Sequence, residues 1–220
     1  MDLVSYNIAT LNINTITSTT KINALRTFAH VMDLDIIFLQ EVENTELSLP
    51  GYTVLCNVDH TRRGTAIALK DHIRFSHVER SLDSRLIYAR VNKTTLCNVY
   101  APSGSVHRAE RERFFNYTIP YYLRHRTEHT ILAGDFNSVI RPCDATGINT
   151  SPALQTIIQQ LQLQDLWVQL RSNEAGHTYV SHNSSARLDR IYTSLGLRQH
   201  LRATQTHPMD GGIGLSAHTF

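Results

Sequence analysis

At six places in this sequence, polar residues stand at the ends of apolar runs, and their types are those of acid–base and anion chemistry. Tyr6-Asn7 lies at the end of the first run, Gln40-Glu41 closes Ile36-Ile37-Phe38-Leu39, and Asn98-Val99-Tyr100-Ala101-Pro102 closes another. Gly134-Asp135-Phe136-Asn137 follows Ile131-Leu132-Ala133, Arg187-Leu188-Asp189-Arg190-Ile191-Tyr192 carries an acid inside a run, and Leu215-Ser216-Ala217-His218 comes near the end. Carboxylates can hold a hard divalent cation or take a proton, while amides, a phenol and an imidazole can donate to an anion. Each group alone has a plainer reading. Asn7 suits a turn, Asp135 a helix cap, Asp189 a partner for Arg187 or Arg190, and His218 is one of 12 histidines. Together, at strand ends where an α/β sheet places its crevice, they point to one site.

The elements that must position them alternate along the chain. Runs rich in Val, Ile and Tyr predict strands at Leu3 to Ile8, Ile36 to Leu39, Tyr52 to Cys56, Thr65 to Leu69, Leu86 to Val91, Thr95 to Tyr100, Thr130 to Ala133 and Leu188 to Tyr192. A first helix carries Ile22, Leu25, Phe28, Ala29 and Met32 on one face, with Thr19 or Thr20 as its cap. A second starts after Ser105 and is broken or restarted at Pro120. A third is capped by Ser151, with Pro152 in the first turn and Leu154, Ile157, Ile158 and Leu161 on one face. The interleaved order predicts one α/β domain over residues 1–220 with a mixed sheet.

Composition narrows the class. With 41% hydrophobic and 18% charged residues the chain reads as globular, and no run approaches the roughly 20 apolar residues of a membrane span. Cys56, Cys97 and Cys143 are odd in number and widely spaced, which argues for reduced thiols inside the cell. The net charge of +2 is too small to name a partner, yet only Lys21, Lys70 and Lys93 among the 21 cations are lysines. Arginine suits phosphate oxygens best, although coding bias would give the same composition. Residues 27–61 carry acids and no Lys or Arg, whereas five arginines fall between 105 and 130. An enzyme that holds a cation and acts on an anion needs that division, and a solvated helix face explains the arginines as well.

Taken in order, Ser5-Tyr6-Asn7, Leu39-Gln40-Glu41, Asn98-Val99-Tyr100-Ala101-Pro102, Gly134-Asp135-Phe136-Asn137, Arg187-Leu188-Asp189-Arg190-Ile191 and Leu215-Ser216-x-His218 resemble the endonuclease/exonuclease/phosphatase superfamily. Within it the chain most resembles the apurinic-endonuclease-like domain of non-LTR (LINE-type) retrotransposons, from Met1 to the last residue. The resemblance implies a four-layer α/β sandwich of two packed mixed β-sheets flanked by helices. It also implies hydrolysis of a phosphodiester in double-stranded DNA with Mg²⁺, for which Mn²⁺ can substitute, and an action on chromosomal DNA in the nucleus. Glu41 and Asn7 would hold the metal. Asp135 would activate water, Asn137 and Tyr100 would contact the phosphate or leaving group, and His218, supported by Asp189, would bind the phosphate. Thr178, Ser185 and Asp144 lie where relatives meet substrate.

The same resemblance exposes departures. The terminal motif of the family is Ser-Asp-His, and Ala217 stands where the aspartate belongs, which implies weakened metal binding and rate. Ala145 follows Asp144 where many relatives have a basic residue. Relatives continue through one more strand after the position of His218, with a reverse transcriptase domain expected downstream. The nearest rival is an abasic-site repair endonuclease, which usually carries Thr-Lys after Gln-Glu where this chain has Val42-Glu43. A DNA-binding module that has lost catalysis is the reading from a different class.

Overall fold

The computed structural model describes residues 6–14, 19–43, 45–59, 64–147, 150–172, 174, 176–198, 203–206 and 215–219, with backbone alone for Thr19, Arg198, Gln205, Thr206 and 215–219. One six-stranded sheet contains β1 (Asn7–Asn12), β2 (Ile36–Gln40), β3 (Tyr52–Val58), β4 (Gly64–Lys70), β13 (Ala203–Thr206) and β14 (Leu215–Thr219), in the order β13-β14-β1-β2-β4-β3. A second contains β5 (Ser76–Arg80), β6 (Leu86–Val91), β7 (Thr94–Tyr100), β8 (His129–Asp135), β9 (Leu163–Asp165) and β12 (Asp189–Ser194), in the order β5-β6-β7-β8-β12-β9. β10 (Tyr179–Val180) and β11 (Ser185–Ala186) form a separate hairpin. Both sheets are mixed: β1 with β2 and β7 with β8 are parallel, and the other pairs are antiparallel.

Alternation along each strand builds the layers. Ile8, Ile36, Phe38, Ile67, Leu96, Ile131, Ala133 and Ile191 face one another between the sheets. Ala9, Leu11, Ile37, Leu39, Ala66 and Ala68 face outward under Leu25 and Ala29 of α1 (Thr19–Val31). On the other side Leu86, Cys97, Val99, Leu132 and Phe136 pack against helical residues Phe114, Phe115, Ile119, Leu154 and Ile157. The fold is therefore the four-layer α/β sandwich of two mixed sheets flanked by helices.

The helices follow their signals closely. In α4 (Pro152–Gln160) the Ser151 hydroxyl accepts from the Leu154 amide at 3.1 Å, and Ala153, Leu154, Ile157 and Ile158 are buried. The second helical stretch runs as α2 (Arg108–Arg113), a π-helical segment at Phe114–Thr118 and α3 (Ile119–Leu123). The wider turn ahead of Pro120 accommodates a residue without an amide proton, so the chain bends through the proline instead of stopping. α1 already contains Thr19 and Thr20, so neither is its cap. The remaining helices are short: α5 (Leu166–Leu170) and α6 (Leu195–Arg198). Among the described residues no helix is long and apolar enough to cross a membrane.

Candidate active site

Following the inward-facing parity along five strands gives the same progression, apolar at one end and polar at the other. β1 reads Ile8-Thr10-Asn12, β2 Ile36-Phe38-Gln40, β7 Leu96-Asn98-Tyr100 and β8 Ile131-Ala133-Asp135; antiparallel β12 reads Asp189-Ile191. Because β1 and β2, and β7 and β8, run parallel, their C-terminal ends converge on one edge of the sandwich. A cleft of about 600 Å³ opens there, lined by Asn12, Asn14, Glu41, Ser103, Gly104, Ser105, Arg111, Asp135, Asn137, Thr178, Tyr179, Leu188 and Asp189.

Asn12 joins two of its acids. One amide group, Nδ2, donates to Glu41 Oε1 and to Asp135 Oδ2, each at 2.9 Å, although these partners lie 29 and 123 residues away in sequence. The Tyr100 hydroxyl donates to Glu41 Oε1 at 3.2 Å. Asp135 also accepts the Asn137 amide at 2.8 Å, and the Asn137 side chain donates to the Ala101 carbonyl. Glu41 and Asn137 occupy left-handed backbone, with φ of 58° and 46°, which turns both side chains sharply away from their strands.

Electrostatics follow from burial. Burial raises Asp135 most, and although the Asn137 and Asn12 donors oppose it, the negative charge of Glu41 adds to the rise, so its carboxyl is pushed up to about 6. Asp189 stands directly opposite Asp135 in the β8–β12 pairing. Burial and the charge of Asp135 raise Asp189 well above the carboxylate range, against hydrogen bonding from Thr178. Tyr100 is pushed up to about 12 by burial and by Glu41 and Asp135, so it remains a proton donor at neutral pH. Arg111 is the counter-charge. It is nearly fully buried, yet its guanidinium lines the cleft and donates to Ser138 Oγ and to the Pro102 and Gly104 carbonyls.

A divalent cation fits this donor set. Two carboxylates held by one amide repel each other, and oxygen donors of this kind suit a hard cation bound by one or two carboxylates and water. Glu41 and Asn12 are the residues that would hold it, with Asp135 beside them. Among the described residues no group of three or more His, Cys, Asp or Glu is placed to hold a metal ion.

The structure brings Glu41, Tyr100, Asp135, Asn137, Thr178 and Asp189 to one cleft. Thr178 Oγ1 accepts the Leu188 and Asp189 amides and so fixes the start of β12. Asn7 is a correction. It opens β1 instead of closing it, at the opposite end from Glu41, where its amide hydrogen bonds to Asp35 and its side chain to the Asp33 carbonyl. Asn12 occupies the place expected of it, because β1 runs from residue 7 to residue 12 and not from 3 to 8. Arg111 and Asn14 were also missed; the first sits in what reads as an ordinary charged helix.

Asp144 is a second correction. It is fully buried and held by Arg141 at 2.7 Å, Arg187 at 3.3 Å and Arg190 at 3.2 Å, with Asp165 completing the cluster. It is not available to a substrate. Burial opposes its ionisation, but hydrogen bonding from Arg141 and the charges of Arg190 and Arg187 outweigh this and hold the carboxyl well below its ordinary value. Its folded value is depressed, so the stabilisation is complete above the unfolded value of about 4 and is lost as pH falls below it. Asp144→Asn should cost about 3 to 5 kcal/mol at pH 7, because two buried arginines lose a partner. Urea unfolding as a function of pH should show the loss shrinking below pH 4.

Ser185 sits in the hairpin, exchanging hydrogen bonds with Thr146, outside the cleft lining. The backbone of β14 pairs Ala217 with Ala9 and His218 with Ile8. His218 thus stands four residues below Asn12, roughly 13 Å down the strand, so the backbone does not carry positions 217 and 218 to the cleft end. β14 spans nearly the whole of β1, which leaves Ala217 in mid-strand and His218 one residue from the end away from the cleft. Ser5, and the side chains of Ser216, Ala217 and His218, lie outside the described residues.

The architecture is that of a two-sheet α/β sandwich with an acidic cleft at its strand ends. The chain belongs to the endonuclease/exonuclease/phosphatase family, whose model it matches over residues 4–214. Among solved structures it is similar to an AP endonuclease from Archaeoglobus fulgidus, at 20% identity and TM-score 0.82, covering 98% of each chain. It is likewise similar to a 3′–5′ exonuclease from Neisseria meningitidis, at 20% identity and TM-score 0.83, covering 97% of this chain and 98% of the other. A Neisseria 3′ phosphatase bound to product DNA hairpin shares 18% identity with TM-score 0.82, covering 97% of this chain and 98% of that one.

Proposed function

We propose that the chain is a Mg²⁺-dependent DNA endonuclease domain of a non-LTR retrotransposon. In this reading it nicks double-stranded target DNA in the nucleus to prime target-primed reverse transcription, with a reverse transcriptase domain downstream in the polyprotein. The observation that carries the nuclease reading is the Glu41–Asn12–Asp135 bridge, which unites two acids from different sheets in an open cleft beside a buried arginine. The retrotransposon assignment rests on the sequence motifs, Tyr100-Ala101-Pro102-Ser103-Gly104 and Val42-Glu43 above all.

In this reading Asp135 accepts the proton of the attacking water, with the Asn137 amide orienting its carboxylate. Tyr100 and Arg111 place donors where negative charge develops on the phosphate and leaving oxygen. The cation, when bound, neutralises charge on the phosphate oxygens. An abasic-site repair endonuclease would use the same residues, so the substrate separates the two readings.

Supercoiled plasmid and abasic duplex, each with Mg²⁺, with Mn²⁺ and with EDTA, provide the test. Nicking of intact plasmid that EDTA abolishes supports the proposal. Cleavage of abasic duplex alone supports repair, and salt-sensitive binding without cleavage supports a binding module. The proposal that Ala217 impairs activity rests on the resemblance, since β14 pairs that position with Ala9. It is expected to show as nicking raised by orders of magnitude in Ala217→Asp, and equal rates refute it.

A further inference from the structure

Directly beneath the cleft, the interior of the sandwich is polar where apolar packing would be expected. Thr10, Gln40 and Asn98 are completely buried. Asn98 belongs to β7 of the second sheet, yet its bonds run to the first: Nδ2 donates to the Leu39 and Ala66 carbonyls, each at 2.8 Å. Its Oδ1 accepts from Gln40 Nε2 at 2.7 Å, and the same nitrogen donates to Thr10 Oγ1 at 3.0 Å. Every polar atom of the Asn98 side chain is thus spent across the gap between the sheets.

The placement relative to the site is regular. Two residues beyond Thr10 is Asn12, two beyond Asn98 is Tyr100, and one beyond Gln40 is Glu41. Asn98 pairs with Ala133, two before Asp135. Thr10 and Asn98 are therefore one layer, roughly 7 Å, below the bonds that cross the cleft, while Gln40 stands level with Asn12 and reaches down to them. Those bonds, Tyr100 to Glu41 and Asn12 to Asp135, join the two sheets and depend on how one lies over the other. The apolar layer below it does not fix that relation, because hydrophobic attraction has no direction. Hydrogen bonds at 2.7 to 3.0 Å do.

We infer that Gln40 and Asn98 are positioning residues for phosphodiester hydrolysis in this cleft: their amide pair locks the slide of one sheet on the other and so sets the separation of Glu41 from Asp135. The inference rests on the proposed nuclease reading, and it makes a structural claim that stands apart from activity. Replacing one partner alone would strand the buried amide of the other, whereas replacing both with apolar residues of similar shape leaves only the Thr10 hydroxyl and the Leu39 and Ala66 carbonyls without these donors.

The test is the double variant Gln40→Met, Asn98→Leu, with Thr10→Val as a milder one that removes a single hydroxyl, acceptor from Gln40 Nε2 and donor to Gln40 Oε1. The double variant should fold, lose kcat for plasmid nicking by about tenfold to a hundredfold, and keep KM for DNA within about twofold. Its crystal structure should show the Tyr100–Glu41 or Asn12–Asp135 bond broken or spread over several conformers. Should the double variant fail to fold, the same two readings on Thr10→Val decide, with a smaller kcat loss expected. Unchanged kcat in the folded variant overturns the inference, and so does a kcat loss with both bonds intact. If the wild-type chain cuts no DNA at all, the nuclease reading falls and the crystal structures alone judge the lock.

Discussion

Asp135→Asn should lower the rate of DNA nicking by about a thousandfold while leaving the protein folded, which is the loss expected when a general base is removed. Asp135 is the one acid of the cleft that both strands of the second sheet's centre and the first sheet's Asn12 converge upon. Its two oxygens accept from Asn12 and Asn137, so the carboxylate is aimed before any substrate arrives. Burial and the nearby charge of Glu41 push it up to about 6, close enough to neutrality to take a proton from water and release it again. Asparagine keeps the size but turns one acceptor into a donor, so one of these two bonds is lost. The same change removes a buried negative charge facing Asp189, and this offsets part of the cost in stability. Single-turnover nicking at saturating protein, with melting followed in parallel, measures both. A rate within tenfold of wild type in the folded variant would take the proton-acceptor role away from Asp135.

The sequence displayed elements whose apolar pattern is local. The periodic face of α4 with its Ser151 cap, and the apolar runs inside β2, β4, β6 and β8, need no distant partner to be recognised. Glu41, Tyr100, Asp135 and Asp189 were legible because each terminates or opens such a strand. Asn12 was not, because the end of β1 is decided by pairing with β2, which puts Asn12 beside Gln40 and Asn7 at the far edge. Nothing within residues 3–12 states which asparagine that will be. Asp144 misled for the related reason that its partners Arg187 and Arg190 are 43 and 46 residues away. Strands such as β9, β10, β11 and β13, two to four residues long, carry too few residues to show a period of two.

Gly134→Ala should destabilise the protein by about 4 kcal/mol or more, among the largest effects of any single methyl group. In the sequence this glycine reads as a turn marker before Asp135. In the structure it is a strand residue with φ of 139°, and a Cβ there would lie 1.9 Å from the Val99 carbonyl oxygen and 2.9 Å from the Val99 nitrogen. Val99 is its direct partner in the β7–β8 pairing, so the obstacle is backbone and has no rotamer to swing aside. Relief requires the two strands to part at the point where they carry Tyr100 and Asp135 side by side. Gly104 supplies the control: its φ is 82°, but a Cβ there meets nothing within 4 Å. Gly104→Ala therefore incurs backbone strain alone, about 1 to 3 kcal/mol at φ 82° and ψ 157°. Thermal unfolding should separate the two, with Gly134→Ala melting roughly 10 °C or more below wild type and Gly104→Ala less far below. Equal shifts would mean that φ, and not the close approach of β8 to β7, is what demands glycine before Asp135. The close approach is the stronger requirement, because it lets two parallel strands bring a phenol and a carboxylate to the same edge.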